Sequence, residues 1–254
     1  MLILTEGIIT KTINIGDNNK LLTILTRDQG IIYAFLNNCK KINSKTLAAS
    51  EMLCYCKFVI FKNKEKYSIN EVQLLKQFTN IRQDVEKLSM GCYMAQLVNE
   101  LAGEVQYSEE YLRLILNSLY VLDENKKDML LIKSVVELKI AAISGYMPNL
   151  ICCSKCSSTC SSSGFVFLMS GELVCKKCFN NGNYTTGTFI TLGVLKAMRH
   201  IIYSNVSKIY SFTLSNEDTL ILYKLTENYL LYKTDLNLST LKYLTTIISK
   251  NKIK

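Results

Sequence analysis

The feature that most constrains this chain is a pair of C-x-x-C motifs, Cys153-x2-Cys156 and Cys175-x2-Cys178, separated by 18 residues. Each pair suits a tight turn that aims both sulfurs inward, and four thiolates from two such turns can close a tetrahedron around Zn2+. The intervening residues suit a hairpin: Gly164-Phe165-Val166-Phe167-Leu168, the turn Ser170-Gly171-Glu172, then Leu173-Val174. The spacing therefore predicts a zinc ribbon with Cys153, Cys156, Cys175 and Cys178 as ligands. Cys152 and Cys160 are close enough in sequence to replace a neighbour. A closed four-thiolate site leaves no position for water, so the expected metal is structural. An iron-sulfur cluster is the weaker alternative, because its ligand runs are usually more compact.

A ribbon of this length is too small to account for 254 residues, 48% of them apolar, so further packed structure must flank it. From residue 1 to 80 the chain reads as short runs rich in Ile, Val, Thr, Phe and Tyr, interrupted by Gly16-Asp17-Asn18-Asn19, Arg27-Asp28-Gln29-Gly30 and Asn63-Lys64-Glu65. Five strands are predicted: Leu4 to Ile15, Lys20 to Thr26, Ile31 to Leu36, Leu53 to Phe61 and Lys66 to Leu75. Five short strands in about 80 residues suit a small barrel, an OB-fold or an SH3-like barrel.

After Phe78 the period changes. Ile81, Val85, Leu88, Cys92 and Ala95 predict one helical stripe, and Leu112, Ile115, Leu119 and Leu122 another, with Ser108 as N-cap ahead of Glu109 and Glu110. A third helix is expected from Asp128 to Ser144, stopped by Gly145-Tyr146-Met147-Pro148. Beyond the cysteines, Thr191 caps a helix through Leu195, Met198 and Ile202. Ser215-Asn216-Glu217-Asp218 opens one through Leu222, Leu225 and Tyr229, and a last helix covers Ser239 to Ser249. The expected organisation is α+β: an N-terminal β-barrel (1–80), a helical domain in two parts (81–150 and 188–254), and an inserted zinc-binding module (151–187).

Charge divides along the same lines. The net +9 resolves into +5 for residues 1–80, −3 for 81–150 and +7 for 151–254. The basic ends suit an anionic partner, and the acidic middle does not. In the loop Asn37-Asn38-Cys39-Lys40-Lys41-Ile42-Asn43-Ser44-Lys45, ammonium groups can neutralise phosphates and Ser44 can add a hydrogen bond. A solvated lysine-rich loop is the alternative. Tyr33, Tyr55 and Tyr67 lie on strands where they could stack bases, although strand tyrosines more often pack against their own core. Cys39, Cys54, Cys56 and Cys92 read as small buried hydrophobes.

No GxGxxG, Walker A, G-x-S-x-G, HExxH or paired-carboxylate motif is present, and His200 is the sole histidine, suited to a structural role. A non-enzymatic protein is expected. MLILTEGIIT carries Glu6 and no early basic residue, unlike a secretory signal. The most apolar stretch, MLLIKSVVELKIAAI, is broken by Lys133, Glu137 and Lys139, unlike a transmembrane helix. Both point to the cytoplasm.

Taken in order, these motifs resemble the RecO family of bacterial recombination mediator proteins. The match is carried by TEGIITKTINIGDNNKLLTILTRDQGIIYAF (5–35), KKINSK (40–45), GYMPNLICCSKC with GELVCKKC, MRHIIYSNVSKIYSFTLSN (198–216) and ENYLLY (227–232). The resemblance implies an N-terminal OB-fold, a helical domain and a zinc-binding module in a nucleoid-associated protein of the RecFOR pathway, monomeric when free. It implies binding of single- and double-stranded DNA, annealing of complementary strands, association with RecR and with the C-terminal tail of single-stranded DNA-binding protein, and loading of RecA in repair. Family ligand positions fall on Cys153, Cys156, Cys175 and Cys178, and loop DNA contacts on Lys40, Lys41 and Lys45. The family loop typically reads as Gly followed by an Arg-Arg-Pro-Lys-Ser-Arg-like run. Here Asn38, lysines, Ile42 and Asn43 stand in those places, with fewer charges and no guanidinium forks. Lys176 and Lys177 in the basic C-terminal segment are expected to add contacts. The rival expectation is a zinc-ribbon scaffold that binds acidic proteins, and a nuclease is a third class.

Overall fold

The computed structural model describes residues 1–37, 48–64, 66–102, 108–159 and 164–251, with side chains through residue 248. Five strands come first: β1 (Leu2–Ile15), β2 (Asn19–Thr26), β3 (Ile31–Leu36), β4 (Tyr55–Asn63) and β5 (Lys66–Lys76). They close a barrel in the order β1-β2-β3-β5-β4, antiparallel except for the β3–β5 pair. This is an OB-like barrel rather than the SH3-like alternative. β1 is long because it serves two neighbours, pairing β4 through Leu2–Ile8 and β2 through Gly7–Ile15, with a register shift between Ile9 and Lys11 where it bends.

Strict alternation explains why these residues are strands. On β4, Cys56, Phe58 and Ile60 turn inward to meet Ile9, Leu22, Ile24, Ile32 and Ala34, while Tyr55, Lys57 and Val59 face outward. Leu53, expected to begin β4, instead has φ of +64°, so the strand starts at Tyr55. Burial pushes the Cys56 thiol up to about 12 and raises Cys54 as well, which leaves both as inert core groups.

The chain packs as two units, residues 1–126 with 238–254, and residues 127–237. In the first, α1 (Thr79–Gln83), α2 (Val85–Leu101), α3 (Ser108–Asp123) and α8 (Ser239–Asn251) accompany the barrel. The single stripe expected from Ile81 to Ala95 is corrected here. Asp84 adopts extended φ/ψ (−124°, 120°) and accepts hydrogen bonds from the backbone N–H groups of Glu86 and Lys87, ending α1 and capping α2. The buried face of α2 is therefore Met90, Tyr93, Met94, Leu97 and Val98 with Ala95, which like Ile81 on α1 is buried as expected, whereas Val85 is 62% exposed and Cys92 only half-buried. The second stripe, on α3, is buried as expected. The Ser108 hydroxyl donates to the Arg27 carbonyl O (2.8 Å), and Thr10 on β1 donates to Asn99 on α2 (2.7 Å).

The second unit holds α4 (Met129–Ile143), a sheet of β6 (Asn149–Cys153), β7 (Phe165–Phe167), β8 (Glu172–Cys175) and β9 (Thr188–Ile190) in the order β6-β8-β7-β9, and α5 (Lys176–Asn180), α6 (Leu192–Tyr203) and α7 (Asn216–Thr234). α4 is buried along its length, including its charges. Lys133 Nζ lies 2.6 Å from Glu137 Oε1 and 2.6 Å from Glu227 Oε2, and over the Tyr223 ring at 4.4 Å. Thr226 donates to the other Glu137 oxygen (2.8 Å), and Lys139 donates to the Ile202 carbonyl (3.0 Å). Burial disfavours the Lys133 ammonium, but Glu137 and Glu227 outweigh it and hold its pKa above the ordinary value. The caps at Thr191 and Ser215 form as expected, and the Asp218 carboxylate accepts from Thr191 (2.8 Å), tying the start of α7 to that of α6.

Candidate metal centre and basic surface

The four-cysteine cluster is assembled by the β6–β8–β7 core. Cys153 ends β6, and Cys156 follows in a turn closed by Ser157 N–H to Cys153 O (2.9 Å). Cys175 ends β8 and Cys178 lies on α5. The hairpin expected between the pairs is present, with Phe165 opposite Cys175 and Phe167 opposite Leu173. All four sulfurs lie within 4.8 Å of one another, and Cys156 and Cys175 are 3.7 Å apart. Zn–S bonds of about 2.3 Å in a tetrahedron place sulfurs about 3.8 Å apart, so the cluster could hold such an ion after slight contraction.

Electrostatics favour ionised sulfur at one position. Burial opposes ionisation of Cys153, yet backbone N–H groups of Cys175, Cys156 and Lys155 turned toward its sulfur bring the thiol down to about 6. The Cys175 N–H is 3.3 Å from it. Cys178 is pushed up to about 12 by hydrogen bonds with the sulfurs of Cys175 and Cys156. Cys152 precedes Cys153 on β6 and stays outside the cluster, as alternation of side chains along a strand requires. Cys160 lies outside the described residues.

Three helix side chains, Arg199, Tyr229 and Lys233, hold the cysteine module to the helices of its own unit. Arg199 on α6 donates from Nε to the Leu150 carbonyl (2.7 Å) and from Nη2 to that of Ile151 (2.9 Å). Tyr229 on α7 donates to the Tyr146 carbonyl (2.9 Å) and meets Phe167 edge to face. Lys233 donates to the Ser170 carbonyl at the hairpin turn (2.7 Å). The Nε2 of His200 lies 2.9 Å from the Lys208 carbonyl oxygen and its ring packs on Phe212, the structural place expected for it.

The basic residues are distributed unevenly. Lys40, Lys41, Ser44 and Lys45 lie outside the described residues, as does Cys39. Lys176 and Lys177 are both exposed on α5, and Lys177, unlike Lys176, lines a cavity shared with Lys155, Asn181, Asn183 and Tyr184. Sequence reasoning did not single out those last four; the available signal was that all lie within six residues of Cys156 or Cys178. On the barrel, a depression lined by Glu6, Arg27, Asp28, Lys57 and Glu109 carries more acid than base and offers no phosphate site. Arg27 is paired with Glu109 (2.9 Å), and the hydroxyl of the half-buried Tyr55 donates to Glu6 (2.6 Å). Tyr67 lies under the Lys62 ammonium at 5.2 Å, and Tyr33 stands 61% exposed on β3. Among the described residues, no helix is long and apolar enough to cross a membrane.

The family described as Recombination protein O N terminal matches residues 1–78, and that described as Recombination protein O C terminal matches residues 82–242. The chain is 31% identical over 243 residues to DNA repair protein RecO of Acetivibrio thermocellus, covering 96% of both chains. It is 33% identical over 213 residues to DNA repair protein RecO of Caldicellulosiruptor bescii, covering 84% of this chain and 85% of the relative. DNA repair protein RecO of Alkaliphilus metalliredigens is 30% identical over 178 residues, 70% of this chain and 72% of the relative. With an OB-like barrel under the first match and the four-cysteine module within the second, this chain belongs to the RecO family.

Proposed function

We propose that this protein is a non-enzymatic recombination mediator in DNA repair. It binds single- and double-stranded DNA, anneals complementary strands, and with RecR helps load RecA onto DNA coated by single-stranded DNA-binding protein, whose C-terminal tail it holds. The supporting observation is a match to RecO relatives that runs through barrel and cysteine module alike, over 96% of both chains in one case. Phosphate contacts keep two strands at high effective concentration and lower the entropic cost of pairing, while the tail contact brings the protein to coated strands.

The barrel, residues 1–80, is the main DNA-binding domain in this reading, with Lys40, Lys41, Ser44 and Lys45 supplying phosphate contacts and Lys176 and Lys177 adding others from the cysteine module. Zinc is the metal that soft thiolates in a closed tetrahedral set favour. Held by Cys153, Cys156, Cys175 and Cys178, it would crosslink the module and supply no reactive water. The protein acts in the cytoplasm on the nucleoid.

The test is annealing of complementary strands coated with single-stranded DNA-binding protein, with and without RecR. Acceleration by the protein, increased or redirected by RecR, is expected. No acceleration together with no salt-dependent DNA binding would leave the scaffold reading in its place.

A further inference from the structure

The cavity beside the cysteine cluster combines basic, carboxamide and aromatic side chains. It has a volume of about 530 Å³ and is lined by Lys155, Lys177, Cys178, Asn181, Gly182, Asn183 and Tyr184, with no acidic side chain among them. That space exceeds one nucleotide. A tetrathiolate around a divalent ion carries a net charge of about −2, which Lys155, Lys176 and Lys177 together exceed. Lys155 and Lys177 at the cavity balance that charge, and Lys176, on α5 outside the cavity, supplies the small cationic excess of this surface.

The aromatic wall is the more specific feature. Tyr184 stacks on Phe179 with ring centroids 5.4 Å apart and planes 10° from parallel, and Phe179 is itself braced edge-on by Phe189 at 5.7 Å. Gly182 permits this arrangement: a Cβ there would stand 2.5 Å from Tyr184 Cε2 and 3.0 Å from the Cys178 carbonyl oxygen. A backed aromatic ring, two carboxamides carrying both donors and acceptors, and two ammonium groups in one cavity match the three parts of a nucleotide.

We propose that this cavity takes one unpaired nucleotide of single-stranded DNA, with its base against Tyr184, its edge bonded by Asn181 or Asn183, and its phosphate at Lys155 and Lys177. The inference rests on the DNA-binding reading above and deepens it, because a base held in a stack is unavailable to a duplex. The module thereby distinguishes single strands from double strands, which phosphate contacts by themselves cannot do.

The experiment uses full-length, metal-loaded protein and two probes: a single-stranded oligonucleotide containing a fluorescent adenine analogue, and its duplex. Quenching of the single-stranded probe by the unaltered protein is expected. Tyr184→Leu should weaken single-strand binding about tenfold, the order of one base stack, with duplex affinity and the salt slope unchanged and Tyr184→Phe restoring the loss. Lys155→Ala with Lys177→Ala should instead weaken both probes and flatten the salt dependence. If Tyr184→Leu loses its metal, Asn183→Ala and the quenching itself decide. Equal loss on single strand and duplex, no loss in Tyr184→Leu with metal retained, or a Tyr184-dependent site that takes an acidic peptide but no oligonucleotide would overturn the proposal. Absence of binding to either probe at low salt would instead overturn the DNA-binding reading itself.

Discussion

The barrel and the cysteine module are both small β-structures, and they hold together by different physics. Among the described residues the barrel encloses a cluster of thirteen buried apolar side chains contributed by its strands and the segment before β4, so its sheet is closed by area removed from water. The module has strands of three to five residues and four sulfurs within 4.8 Å. So short a sheet cannot offset its own ordering entropy by burial, and a shared metal would supply the deficit. The lesson is that one region should respond to side-chain volume and the other to sulfur chemistry.

Removal of the metal should separate them most sharply. Chelation, or Cys175→Ser, is expected to withdraw on the order of 10 kcal/mol of binding-coupled folding energy from the module. Hydrogen exchange should then open residues 149–190 and leave the strands β1 to β5 protected. Full metal occupancy in Cys175→Ser would instead point to Cys152 or Cys160 as a substitute ligand. The converse variant is Phe58→Ala, at a fully buried barrel position, which should cost about 3–5 kcal/mol by denaturant unfolding. Its metal content should stay normal, and metal loss there would break the contrast.

A third test asks whether the helical support of the module is electrostatic. Lys133→Ala removes the ammonium from the buried Glu137 and the partly exposed Glu227 and should destabilise by about 3–4 kcal/mol, while Lys133→Met with Glu137→Leu should recover the share due to Glu137, Glu227 keeping its access to water. The sign with pH follows from the raised pKa of Lys133. Its stabilisation is complete below the unfolded value near 10.5 and is lost as pH rises through the higher folded value. Wild-type protein should therefore show an alkaline fall in melting temperature above about pH 10.5 that is shallower in the double variant, where the half-buried Tyr55 and the buried Tyr229 and Cys56, with pKa values also raised, still contribute. Smaller still, Asp84→Ala removes the cap between α1 and α2 and should cost about 1 kcal/mol, without effect on metal content.

The smallest effect on stability is expected from Lys40→Ala, Lys41→Ala and Lys45→Ala combined, within about 0.5 kcal/mol. Its readout is the salt dependence of DNA binding, which should flatten about equally for unrelated sequences. An unchanged slope would remove the loop from the binding surface and leave the cysteine module as the basic contact.

Legibility followed the range of the interactions. The five strands were readable because alternation at Cys56, Phe58 and Ile60 is a property of neighbours two apart. The four-cysteine cluster was readable because each half of it lies within four residues. The stripe through Ile81, Val85 and Leu88 misled because spacing alone does not register Asp84, whose side chain competes for the helix N–H groups. For the cavity the sequence offered only nearness to the cysteines, since Lys155 reaches Asn183 and Tyr184 only after the hairpin folds back.

By itself, then, the sequence determined the local pieces: strands, most helix ends, the two thiolate turns and the basic ends of the chain. Tertiary structure decided partnership. It placed the final helix, Ser239–Asn251, in the barrel's unit, where Thr240 N–H bonds Gln96 across 144 residues. It gave the buried Lys133 its second carboxylate, Glu227, 94 residues away. A period or a cap is set by residues within one turn, whereas the burial of an apolar face or a charge depends on everything that excludes water from it, and that is known only when the whole chain has packed.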